Sequence, residues 1–138
     1  MIEILKKFIP YAQQGVLKDK EILGATRLPN LAESINTMPK TYETENIKIK
    51  DKVAHLHYFV GGFDWYIIEK DMLPEQRQAF GVVKNGDTVE FGYIDITELQ
   101  SISMVEFDFY WKPKPLSEIA NLRHFISRFK SYNEEECA

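Results

Sequence analysis

Two short dipeptides constrain this chain more than anything else in it. Between Val53 and Ile94, β-rich runs are separated by Gly61-Gly62 and by Asn85-Gly86. Both dipeptides accept the positive φ angles of a two-residue turn, and both are flanked by β-branched and aromatic residues. Consecutive antiparallel hairpins are therefore expected. In the first, Val53–Val60 pairs with Phe63–Glu69, so that Tyr58 faces Trp65, His57 faces Tyr66 and Leu56 faces Ile67. In the second, a type I′ turn at Asn85-Gly86 sets Val82 opposite Val89 and Phe80 opposite Phe91, all on one face.

The residues after Ile94 extend the sheet and then close it. Asp95-Ile96-Thr97-Glu98 reads as a capping box, with Asp95 receiving the Glu98 N–H at the start of a short helix. Val105–Trp111 alternates, with Val105, Phe107, Phe109 and Trp111 on one side and Glu106, Asp108 and Tyr110 on the other. Lys112-Pro113-Lys114-Pro115 ends that strand, because proline donates nothing to a ladder. Ile119, Leu122, Ile126 and Phe129 then recur at helical spacing, predicting a helix over 115–130 that folds back onto the Phe107 face. Before the sheet, residues 2–9 predict a short helix stopped by Pro10, and residues 11–25 a second one weakened by Gly15. Thr26–Asp51 reads as a long irregular connection with one helical turn near Leu31–Ile35. The predicted fold class is α+β: a mainly antiparallel sheet of about five strands built from hairpins, covered by a C-terminal helix, with short N-terminal helices at one end.

Length and composition bound the rest. The 138 residues fit a single domain. It divides into a helical or irregular segment over 1–52, a sheet over 53–111, the helix over 115–130 and a frayed acidic tail over 133–138. Nine Phe, seven Tyr and two Trp supply enough apolar area for a core. The lone Cys137 forms no internal disulfide, the first residues lack a signal peptide, and no apolar run reaches the roughly 20 residues of a membrane span. A cytoplasmic chain without membrane association is expected. The net charge of −4 is uneven: residues 53–111 carry three basic and ten acidic side chains, whereas 1–52 carry nine and seven. An acidic sheet repels phosphate backbones, which argues against broad nucleic-acid binding through its face.

Four segments in order carry a resemblance. They are Asp64-Trp65-Tyr66-Ile67-Ile68-Glu69, Ala79-Phe80-Gly81-Val82-Val83, Phe91-Gly92-Tyr93-Ile94-Asp95-Ile96-Thr97-Glu98-Leu99, and Lys112-Pro113-Lys114-Pro115-Leu116-Ser117-Glu118-Ile119. Over about residues 53–120 this arrangement resembles domain of unknown function 2958, found in small proteins of bacterial conjugative transposons, plasmids and phages. His55-Leu56-His57 departs from the aromatic-rich strand of that family. The resemblance implies an accessory protein of a mobile genetic element, and it brings no activity, substrate or catalytic residue.

Candidate residues are weighed on their chemistry. His55 and His57 lie two apart on a strand and share a face, and His124 is a further imidazole, but no carboxylate or cysteine is spaced to complete a metal site. Asp64, Glu69 and Asp71 offer acid–base chemistry only if burial separates their pKa values; solvated carboxylates are the expectation. No catalytic residue, metal or cofactor is assigned. Trp65, Tyr66, Tyr93 and Trp111 are expected in the core, whereas Tyr110 among carboxylates suits a protein interface. Lys112 and Lys114, with Arg123, Arg128 and Lys130, are expected first as a solvated helix face, with a basic edge as the alternative. The candidate binding residues are thus Asp64, Tyr66, Glu69, Tyr110, Lys112 and Lys114. The expected partner is another protein; the alternative is nucleic acid met at the basic edge during transfer or replication.

Overall fold

A computed structural model of the chain describes residues 1–19 and 23–128. The fold is α+β, and its first elements are helical. Helix α1 (Ile2–Lys6) stops short of Pro10, and Tyr11–Leu17 forms a 3-10 helix where an α-helix was expected. The supposed irregular connection contains α2 (Arg27–Thr37), which buries Leu28, Leu31, Ala32 and Ile35. Pro29 does not prevent it, because a proline in the first turn removes an N–H that has no intrahelical partner.

Strand β1 (Val53–Ala54) is separated from β2 (Leu56–Val60) at His55, so Val53–Val60 is two strands and not one. Next come β3 (Phe63–Glu69), β4 (Gln78–Asn85) and β5 (Thr88–Asp95). Helix α3 (Ile96–Ser101) follows, then β6 (Glu106–Phe107) and β7 (Lys114–Pro115). One antiparallel sheet has the order β5-β4-β3-β2-β6, and β1 pairs with β7 in a two-stranded sheet of its own.

The β2–β3 hairpin has the expected register, with Tyr58 opposite Trp65, His57 opposite Tyr66 and Leu56 opposite Ile67. The β4–β5 hairpin does not. Asn85 pairs with Thr88, so the turn is Gly86-Asp87; Val82 faces Phe91, and Val89 faces Lys84. Gly86 takes φ +57° and Asp87 does not enter the left-handed region, the pattern of a type II′ turn. The slip is by two residues, which leaves Phe80, Val82, Val89 and Phe91 on one face, because side chains repeat every two residues. Gly81 stands opposite Ile67, where a Cβ would lie 2.0 Å from the Tyr66 carbonyl oxygen. Only glycine lets β3 and β4 approach there.

Both faces of the sheet are covered. On the first, Leu56, Tyr58, Ile67, Ala79 and Phe107 join the buried side chains of α1, α2 and α3 in one core. The N-terminal helices therefore cover a face and do not sit at one end. Asp95 caps α3 by accepting the Glu98 N–H at 3.0 Å, as the capping box predicted. On the second face, Ala54, Tyr66, Ile68 and Val82 pack against Leu116, Ile119, Leu122 and Ile126. The C-terminal segment thus covers the face opposite Phe107. It is not one helix over 115–130: 3-10 turns at Leu116–Glu118 and Ala120–Leu122 precede a helix over 123–128. Phe129, Lys130 and the expected tail over 133–138 lie outside the described residues.

The reversal of face has a local cause. The strand predicted over Val105–Trp111 ends at Phe107, because Asp108 nucleates a turn. Its carboxylate accepts the Tyr110 N–H at 3.1 Å, and its carbonyl accepts the Trp111 N–H at 3.2 Å. Phe109 stays with the first core, while Trp111 packs against the second. The chain then crosses to β1, where Trp111 Nε1 donates to the Ala54 carbonyl at 2.9 Å. Among the described residues no helix is long and apolar enough to cross a membrane.

Candidate functional site

The second face carries polar groups on either side of its apolar core. At the β2–β6 side, the His57 ring lies between two carboxylates. Its Nε2 is 2.7 Å from Asp64 Oδ1, and its Nδ1 is 3.1 Å from Asp108 Oδ2. The ring stacks on Tyr66 at 4.7 Å between centroids and 7° between planes, as their direct pairing across β2 and β3 requires. The Tyr66 hydroxyl donates to Asn121 Oδ1 at 2.9 Å. Burial, joined by the charges of Asp64 and Asp108, pushes the Tyr66 phenol up to about 12, against the lowering effect of the Asn121 hydrogen bond. Asp64 and Tyr66 are thereby brought together as structural partners of His57. His55 lies on a separate stretch of backbone, and burial holds its imidazole below its ordinary pKa. Among the described residues no group of three or more His, Cys, Asp or Glu has the geometry to hold a metal ion.

Glu69 lies elsewhere and is not solvated: it is 4% exposed. The β3–β4 register shifts between Ile67 and Glu69, which sets Glu69 opposite Phe80. A bulge is a common way to re-aim a side chain, and here it turns a carboxylate toward the Phe80 side. The segment after α2 folds over it. Glu69 accepts N–H bonds from Tyr42 at 3.0 Å and from Thr44 at 3.1 Å, together with a short bond from the Thr44 hydroxyl. Tyr42 adopts φ +75°, an uncommon conformation for a bulky residue, and its N–H is one of those donors. Lys52 donates to the Thr44 carbonyl at 2.5 Å and to its hydroxyl at 3.0 Å. Burial lowers the Lys52 pKa, more than the charges of Glu69 and Glu45 raise it.

Glu69 and Lys52 line a cleft of about 330 Å³ whose walls include Tyr42, Ile47, Ile49, Phe80, Phe91 and Tyr93. The hydroxyls of Tyr42 and Tyr93 are 2.8 Å apart across its rim, and both side chains are more than half exposed. The shared hydrogen bond raises the Tyr93 pKa, with desolvation adding to it. The cleft opens beside β5, the last strand of the sheet. Glu69 is legible as a candidate in the sequence, whereas Tyr42 and Thr44, inside the Thr26–Asp51 connection, and Lys52, next to its end, are not. Their only sequence signal was the unusual length of that segment.

The remaining candidates gather at the Asp108 turn. Tyr110 is 61% exposed, and the Arg27 guanidinium sits 4.6 Å from its ring centroid. Lys114 Nζ lies 4.6 Å over the Trp111 ring. Lys112 lines a pocket with Arg27 and Trp111. The six candidates thus divide three ways: Asp64 and Tyr66 at His57, Glu69 in the cleft, and Tyr110, Lys112 and Lys114 at the turn. Comparison of the chain with protein-family models, with curated proteins and with solved structures gave no match in any of the three.

Proposed function

We propose that this chain is a non-enzymatic protein-binding module that receives an extended segment of its partner along β5. One observation carries the reading: β5 is an eight-residue strand at the end of the sheet, directly beside an aromatic-walled cleft. An edge strand offers main-chain donors and acceptors to an added strand, and pockets beside it select the partner's alternate side chains. Edges of this length are ordinarily blunted by lysine, proline or brevity. Strand β6, at the other edge, is two residues long, whereas β5 holds neither lysine nor proline. The resemblance over residues 53–120 supports an accessory role on a bacterial mobile element. The buried carboxylate supports binding over catalysis, because Tyr42 and Thr44 already occupy Glu69.

The nucleic-acid reading draws on the two cation–aromatic pairs at the Asp108 turn. Affinity capture from host cells separates the two. The expected result is a protein partner that survives nuclease, protects the β5 amides from hydrogen exchange, and is lost with Tyr93→Lys, a variant that melts like the parent. Recovery that disappears with nuclease favours the alternative. Undiminished capture by Tyr93→Lys removes the edge from the proposal.

A further inference from the structure

Helix α2 meets the segment after the Asp108 turn around a pocket of about 230 Å³. Arg27, Asn30 and Ser34 face it from one stripe of α2, and Trp111, Lys112 and Pro113 close it. Two cations line this pocket and no carboxylate does, in a chain of net charge −4. Arg27 is the first residue of α2, and Leu31 adds an apolar patch to the wall that the helix flank gives this pocket. The guanidinium is held against Tyr110 at 4.6 Å. A cation held over a ring face still has N–H donors to offer another acceptor. Arg27 Nε is closed off from solvent and has no hydrogen-bond partner among the described residues, so a ligand in the pocket would meet the terminal guanidinium nitrogens. A charged donor buried without an acceptor is costly, and native structures seldom retain one without a reason.

From these observations we infer that the pocket is an oxyanion site, and that its ligand is a phosphomonoester. The cationic lining favours negative charge, and the Arg27 fork matches a phosphate edge in two parallel hydrogen bonds. Lys112 supplies a second charge as a point donor from the other wall. Asn30 and Ser34 donate to further oxygens or to the ester oxygen. The volume lies below the roughly 300–1,000 Å³ of ordinary small-molecule sites, so the pocket takes a phosphate and a few attached atoms and not a whole nucleotide. This site is independent of the β5 edge and stands whether or not that proposal holds.

Calorimetric titration with phenyl phosphate, inorganic phosphate and chloride at matched ionic strength tests it. Saturable one-to-one binding of phenyl phosphate is expected, with none for chloride. Arg27→Lys keeps the charge but loses the fork, and should weaken binding about tenfold. Lys112→Ala, at an exposed position, should weaken it several-fold without changing the melting temperature. The Lys112 variant keeps the test decisive if changes at Arg27 impair folding. A phosphoserine peptide that binds more tightly than phenyl phosphate identifies a modified protein as the source of the phosphate; the reverse identifies a small metabolite. Absence of saturable binding by either probe overturns the inference. So does binding unaffected by Lys112→Ala, or binding confined to duplex DNA with a steep salt dependence.

Discussion

Leu122 is the residue whose truncation tests the architecture most directly. It is fully buried in the second core, whose members include Tyr66, Ile68 and Val82 from the sheet and Leu116, Ile119 and Ile126 from the C-terminal segment. Leu122→Ala removes apolar carbons worth about 0.8 kcal/mol each, or about 2.4 kcal/mol in transfer free energy. The surrounding residues cannot all close the space, since Tyr66 is fixed by the ladder and Leu116 by the 3-10 turn that it opens. The residual cavity brings the expected cost to roughly 3–4 kcal/mol, within the range of leucine truncations in rigid cores. For a domain of this size that is a fall in melting temperature of roughly 10 °C. Urea unfolding gives the measurement: the midpoint should fall while the slope stays that of the parent. Lys112→Ala, exposed on the same segment, is the control and should differ by less than about 0.5 kcal/mol. A loss below about 1 kcal/mol for Leu122→Ala would show that the C-terminal segment does not hold the second face, and would refute this packing.

Other perturbations probe separate parts of the fold. Gly81→Ala sets a Cβ 2.0 Å from the Tyr66 carbonyl oxygen, a backbone atom that cannot yield, so the variant should lose at least about 3 kcal/mol or fail to fold; parental stability in urea would contradict the β3–β4 register. Gly86→Val places a β-branched residue at φ +57° and should cost about 1–2 kcal/mol, read from the same unfolding curves, whereas an unchanged midpoint would mean that the turn is elsewhere. The Tyr66 phenol, raised by burial from 10.0 to about 12, contributes stability that is fully present below pH 10 and is lost as pH rises toward 12, because the unfolded chain ionises first. Tyr66→Phe should therefore flatten the alkaline decline in urea midpoint; an identical decline in both proteins would place the titrating group elsewhere.

Local chemistry made much of this fold legible in the sequence. The Gly61-Gly62 turn set the β2–β3 register, since strands flanking a two-residue loop have only one pairing available. Asp95 capped α3 because a carboxylate at that position has a free N–H three residues on. The α+β class, the central hairpins and the buried Ile119, Leu122 and Ile126 followed from periodicity. Tertiary structure decided the rest. Asn85-Gly86 and Gly86-Asp87 both suit a hairpin and give the same faces, so only pairing with β3, which sets Phe63 opposite Asn85, chose between them. Alternation carried Trp111 onto the Phe107 face, but Asp108 ended the strand and the indole went to Ala54 on the other side. Glu69 read as a solvated carboxylate because its donors, Tyr42 and Thr44, are more than 20 residues away in sequence. Arg27 and Tyr110 meet only because α2 and the Asp108 turn pack side by side. A sequence pattern fixes which groups a short segment must satisfy internally; which distant segment supplies the remaining partners is set by how the layers close on one another.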